Sequence, residues 1–172
     1  MEAHAQASAE HSILGRDWLP PFASIPWRLI WVSADAPSRL AQLPDNPIMR
    51  DHLLSVDGSL VTRADVERTR NDRGWCTAEI LRVYGEKISL GNSAVAHGQA
   101  QTLFEESLEL SGAHGAVAWE LRAASSLARL WQGMGRKAAA VALLEPLYRR
   151  FTEGLETSDM KKASMLLEEL SA

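Results

Sequence analysis

Cysteine occurs once in this chain of 172 residues, at Cys76, so no disulfide closes within it and no four-cysteine zinc site forms. A reducing, cytoplasmic setting is the expectation. An excess of basic charge is also missing. The net charge is −4 and the isoelectric point near 5.7, which argues against a dedicated nucleic-acid binder, since that needs a basic face. Long apolar runs are absent too. The most apolar early stretch, around Ile25 to Val32, is broken by Pro26 and Arg28 and is far too short to span a bilayer. The opening residues, MEAHAQASAEHS, lack the basic region and apolar run of a secretory signal.

Proline is scarce where it matters. Six of the seven prolines lie between Pro20 and Pro47, together with Trp18, Trp27 and Trp31. Proline removes a backbone donor and biases its predecessor away from the helix, so an irregular arm over 1–60 is expected. A short segment from Pro47 to Leu54 is the exception. Either the tryptophans dock this arm on a helical surface or they leave it a sticky extension.

From residue 61 to 172 the periodicity becomes helical. Trp75 to Ser89 reads as a helix with Ile80, Leu81, Tyr84 and Ile88 on one stripe. Gly91 to Gly98 reads as a loop, and Gln99 to Leu110 as a second helix stopped by Gly112 and Gly115. Ala116 to Gln132 and Arg136 to Phe151 follow, the latter with Pro146 inside it and a kink or loosened turn expected there. Thr157, Ser158 and Asp159 cap a last helix bearing Met160, Ala163, Leu166, Leu167 and Leu170. Five helices with short turns, at Gly91–Gly98, Gly133–Gly135 and Gly154–Ser158, require no strand.

The helices carry a repeat. Ala100, Phe104 and Ser107 show the small–large–small spacing of the second helix of a tetratricopeptide pair, and Ala140, Leu144 and Leu147 show it again 40 residues on. Leu81, Gly85 and Ile88 match the first helix, as do Ala124, Ala128 and Trp131. Gly135 falls at the turn between paired helices, where the chain must reverse. The expectation is an all-α fold: a tetratricopeptide-like α-solenoid fragment of antiparallel helical hairpins, behind a Pro- and Trp-rich arm.

Chemistry is thinly represented. GMGRKA, Gly133 to Ala138, lacks the spacing and the hydroxyl of a phosphate loop, so no nucleotide cofactor is expected. No two histidines share a helix face at the spacing of a zinc pair, and no metal is expected. Cys76 reads as a buried structural thiol. Glu105–Glu106 and Glu168–Glu169 read as solvated charges, because neighbouring positions on a helix do not face each other. The five arginines from Arg63 to Arg82, interleaved with Asp65, Glu67, Asp72 and Glu79, read as a solvated mixed-charge face. Glu120 and Arg122 read as surface or inter-helix ion pairs.

Three blocks add a resemblance. WELRAASSLARLW (Trp119–Trp131), FTEGLETSD (Phe151–Asp159) and RGWCTAEILRVYGEKI (Arg73–Ile88) occur in order and at near-family spacing. Over about residues 66–170 the chain resembles the C-terminal helical-repeat region of bacterial multidomain ATPases, adenylate/guanylate cyclases and LuxR-type transcriptional regulators. Residues 1 to about 60 depart from it. The resemblance implies an interaction tail without the nucleotide-hydrolysing module. The expected function is a non-catalytic scaffold for a protein partner, with self-association through an open end. The alternatives are a small ligand-binding or catalytic regulator, with a pocket lined by Trp27, Trp31 and Trp75, or a gene fragment without independent function.

Overall fold

The computed structural model describes residues 46–172 except Asp57, Arg73 and Asn92. The expectations for the tryptophans and prolines before residue 46 lie outside the described residues.

Asn46 starts the first helix. Its side-chain oxygen accepts from the backbone N–H groups of Ile48 and Met49 at 3.0 and 3.3 Å, and Pro47 occupies the first helical position, where no donor is needed. This helix, α1, spans Pro47–Val56 and buries Met49, Leu53 and Leu54. A 3₁₀ turn, Gly58–Leu60, follows, and the Lys87 ammonium ties it down by donating to the carbonyls of Ser59 and Val61 at 3.0 and 2.8 Å. Helix α1 and the 3₁₀ turn, which the sequence places in the arm, pack on the third helix.

The second helix, α2, Arg63–Asp72, has no counterpart among the five expected helices. Its ten residues carry charge at positions 63, 65, 67, 68, 70 and 72, which hides any apolar stripe. A reciprocal cap starts it. The Asp65 carboxylate accepts from the Thr62 N–H and hydroxyl at 3.1 and 2.6 Å, while the Thr62 oxygen accepts from the Asp65 N–H at 3.3 Å.

Five further helices match the expected ones with shifted ends: α3 Thr77–Ser89, α4 Ala94–Ala113, α5 Val117–Gly133, α6 Lys137–Tyr148 and α7 Ser158–Ser171. The described residues hold seven α-helices and no strand, so this part of the chain is all-α. The loop expected over Gly91–Gly98 is shorter than that. Ser93 caps α4, its hydroxyl accepting from the Ala96 N–H at 3.0 Å, so Ala94 to Gly98 belong to the helix. Pro146 sits in the last turn of α6, which stops at Tyr148 rather than Phe151. Thr157 occupies the cap position of α7 but makes no side-chain cap hydrogen bond.

Two helices end in the same way. Gly115 and Gly135 take φ of +65° and +75°, the left-handed region that glycine enters without a Cβ clash. At α5 the Gly135 N–H donates to the Gln132 carbonyl and the Arg136 N–H to Trp131, at 3.0 and 2.8 Å. At α4 the Gly115 N–H donates to Gly112 and the Ala116 N–H to Ser111, at 3.1 and 2.9 Å. This pairing satisfies orphan carbonyls and turns the chain back.

Consecutive helices from α3 to α7 pack against each other, and α5 also touches both α3 and α7. Small residues set the approach. A Cβ placed on Gly85 of α3 would lie 2.6 Å from Phe104 Cε1 of α4, so the ring rests directly on the α3 backbone. Ser107 of α4 adds a hydrogen bond to the Ala78 carbonyl at 2.7 Å. Further along, Ala124 and Ala128 of α5 join Ala140 and Leu144 of α6 and Met160, Ala163 and Leu166 of α7 in one core cluster. Trp131 and Leu143 border both this cluster and that of Ala100, Phe104, Leu127 and Leu130.

Candidate interaction face

The alternate helices α3, α5 and α7 contribute charged side chains to one network. Glu79 of α3 is 2% exposed and is gripped by two arginines. Arg82, one turn on, approaches it in a fork, Nε to Oε2 at 2.9 Å and Nη2 to Oε1 at 2.8 Å, while Arg122 of α5 places Nη1 2.7 Å from Oε1. Arg122 then reaches Asp159 of α7 at 3.5 Å. Arg82 also donates to Glu86 at 2.5 Å, and the Ser126 hydroxyl of α5 donates to the same Glu86 oxygen at 2.7 Å. Burial pulls the Arg82 guanidinium down, but the hydrogen bond to Glu79 and the charges of Glu79, Glu86 and Asp159 outweigh it and hold the group above its ordinary value.

This corrects the solvated mixed-charge reading. Buried charge survives only when paired, and the residues from Arg63 to Arg82 supply the pairs. Arg50 meets Asp65 at 2.9 Å, Arg68 meets Asp51, and Arg70 meets Glu106 of α4 at 2.5 Å. Glu106 is thereby an inter-helix partner rather than a purely solvated charge, and Glu169 accepts from Gln132 at 3.3 Å. Glu120 pairs with Arg150 at 2.7 Å, so both charged residues of the WELR block reach other helical elements or their ends.

Asp65 gives the fold a pH dependence. Burial pushes its carboxyl up, but hydrogen bonds from Thr62 and Arg50 outweigh that and hold it below the ordinary value of 3.8. A depressed folded-state pKa contributes stability that is present above the unfolded value and is lost as pH falls through the folded one. Asp65→Asn is therefore expected to lower the melting temperature at neutral pH, with a deficit that narrows as pH falls below 3.8. Thermal melts in both pH ranges check this, and an equal deficit in both would contradict it.

Near the start of α3 the rings stack. Trp75 lies 6.0 Å from His52 of α1 and 6.0 Å from Trp119 of α5, with interplanar angles of 19° and 24°. Trp75 is 53% exposed. Of the pocket expected from Trp27, Trp31 and Trp75, only Trp75 falls among the described residues. Cys76 beside it is buried, and burial pushes its thiol up to about 11, which keeps it protonated at neutral pH.

At the other end of α3 an open cleft of about 270 Å³ lies between α3, α4 and α5. Glu86, Ser89, Ser126 and Arg129 line it beside His97 of α4, over Phe104 and Leu130. His97 sits inside the first turn of α4, and His114 is its C-cap.

The repeat positions read from the sequence divide cleanly. Leu81, Gly85, Ala100, Phe104, Ser107, Ala124, Ala128, Ala140 and Leu144 are buried, whereas Ile88, Trp131 and Leu147 are partly buried at cluster edges and Gly135 is an exposed turn residue. They build the scaffold. What sequence reasoning missed was the role of the polar positions between them, Glu79, Arg82, Glu86, Arg122 and Ser126, whose only signal was charge recurring at three and four residues on α3.

Among the described residues no group of three or more His, Cys, Asp or Glu is placed to hold a metal ion, and no helix is long and apolar enough to cross a membrane. No family model, curated protein or solved structure matches this chain.

Proposed function

We propose that the chain is a non-catalytic scaffold for protein–protein interaction, built as a tetratricopeptide-like α-solenoid fragment. One observation carries the reading. Phe104 of α4 rests on Gly85 of α3, and in the next pair small Ala124 and Ala128 of α5 lie in one buried cluster with Leu144 of α6. Small residues on one helix beside a large one on the next, in successive pairs, suit the stacking of a solenoid. The members of the network that reach solvent, Glu86 on α3, Arg122 on α5 and Asp159 on α7, then offer a polar edge to a partner. The resemblance of residues 66–170 to the tails of bacterial ATPase- and cyclase-type regulators supports a place in signalling or transcriptional control, in the cytoplasm. Nucleic acid and membrane are not its partners in this reading, and a second copy of the chain is a candidate one.

Selection of displayed random peptides on the full chain tests it, with the bound segments mapped by crosslinking. Binders that crosslink to α3, α5 and α7 support the scaffold. Micromolar binding of Mg-ATP, or its hydrolysis, in calorimetric titration would overturn it.

A further inference from the structure

The cleft between α3, α4 and α5 holds two donors that no other described side chain engages. The Arg129 guanidinium and the His97 imidazole make no hydrogen bond or ion pair with another described residue, although both line the cleft. The acidic group that also lines it is already engaged. One Glu86 oxygen accepts from both Arg82 and Ser126, at 2.5 and 2.7 Å, so part of its charge is offset by the network, while the side chain stays 50% exposed. Ser89 is turned back as well, its hydroxyl donating to the Glu86 carbonyl at 2.7 Å. The floor is apolar, formed by Phe104 and Leu130.

Resting on the scaffold reading, we propose that this cleft receives an acidic side chain of an extended partner peptide. Charge complementarity selects the carboxylate. A planar guanidinium binds it through two parallel N–H donors, and the imidazole supplies a third. Size selects a peptide over a small metabolite. At about 270 Å³ and open to solvent, the cleft falls just short of the ~300–1,000 Å³ that encloses a drug-sized ligand. It fits one or two side chains of a segment that continues along the face.

The test uses the full chain, ¹⁵N-labelled, and three tetrapeptides, N-acetylated and C-amidated, in which leucine alternates with glutamate, glutamine or lysine. The glutamate peptide is expected to shift the amide resonances of Ser89, His97, Arg129 and Gly133, and to bind about tenfold more tightly than the glutamine peptide. Arg129→Gln should remove that preference, and Arg129→Glu should transfer it to the lysine peptide. Arg129 is exposed, so both variants should keep the parent melting temperature. Equal binding of the glutamate and glutamine peptides, or an unchanged preference in Arg129→Glu, would overturn the inference. If those peptides still shifted resonances on α3 and α5, the scaffold reading would stand without it.

Discussion

A Gly85→Val variant is expected to melt roughly 10 °C below the parent, a loss of about 3 kcal/mol. The valine Cβ would meet Phe104 Cε1 at 2.6 Å and Cδ1 at 2.9 Å, distances at which something must move. The ring has nowhere to go. Phe104 is 1% exposed and packs with Ala100, Leu127 and Leu130, so displacing it disturbs α5 as well as α4. Relief by separating α3 from α4 would stretch the Ser107 hydrogen bond to Ala78. Helix propensity acts the other way, since glycine is the poorer helix former by up to about 1 kcal/mol, but that gain is smaller than the cost of overlap. The control is Phe104→Leu in the same background. By vacating the space beside residue 85 it should recover part of the loss, and no recovery would mean that the contact is not the cause. Differential scanning calorimetry of the parent and the two variants reads this directly.

The second large effect is expected at Glu79. Glu79→Ala should cost about 3 kcal/mol, because it removes both Glu79 bonds from the buried Arg82 guanidinium, which keeps only Glu86 and Ser126, and strips Arg122 of its nearest partner. The penalty arises from the stranded charge rather than from the value of the pair. Replacing Glu79 and Arg82 together by leucine should therefore cost far less than Glu79→Ala alone. Glu86 and Arg122 retain solvent access, with side chains 50% and 34% exposed, and can hydrate when their partners go. Denaturant melts of the single and double variants give the comparison. A double variant less stable than Glu79→Ala would show that the network stabilises the fold outright.

Much of the helical scaffold was legible in the chain for a physical reason. Residues that define helix contacts, such as Ala100, Phe104, Ala140 and Leu144, announce themselves by size and spacing, and burial at those positions follows. Glycine at 115 and 135 marked where the chain turns, because the backbone there needs a left-handed residue. The polar half was less legible. Glu79 and Arg82 look like solvent-facing residues on a wheel, and only the approach of α5, bringing Arg122 and Ser126, makes that side an interior. Helix α2 escaped for a related reason: Arg50, Asp51 and Glu106, which neutralise its charges, lie on other helices. The cleft at Arg129 follows from three helices meeting, which no local pattern records.

The stacked indoles of Trp75 and Trp119 give the molecule an optical gauge. Their rings stand 6.0 Å apart at 24°, one in the turn just before α3 and the other in the first turn of α5. Electronic transitions on two chromophores this close mix, and the mixing produces a paired band of opposite signs in circular dichroism. Its amplitude falls steeply as the rings separate or rotate. Spreading of α3 from α5, by a partner or by strain, would register in that band while the helical signal stayed constant.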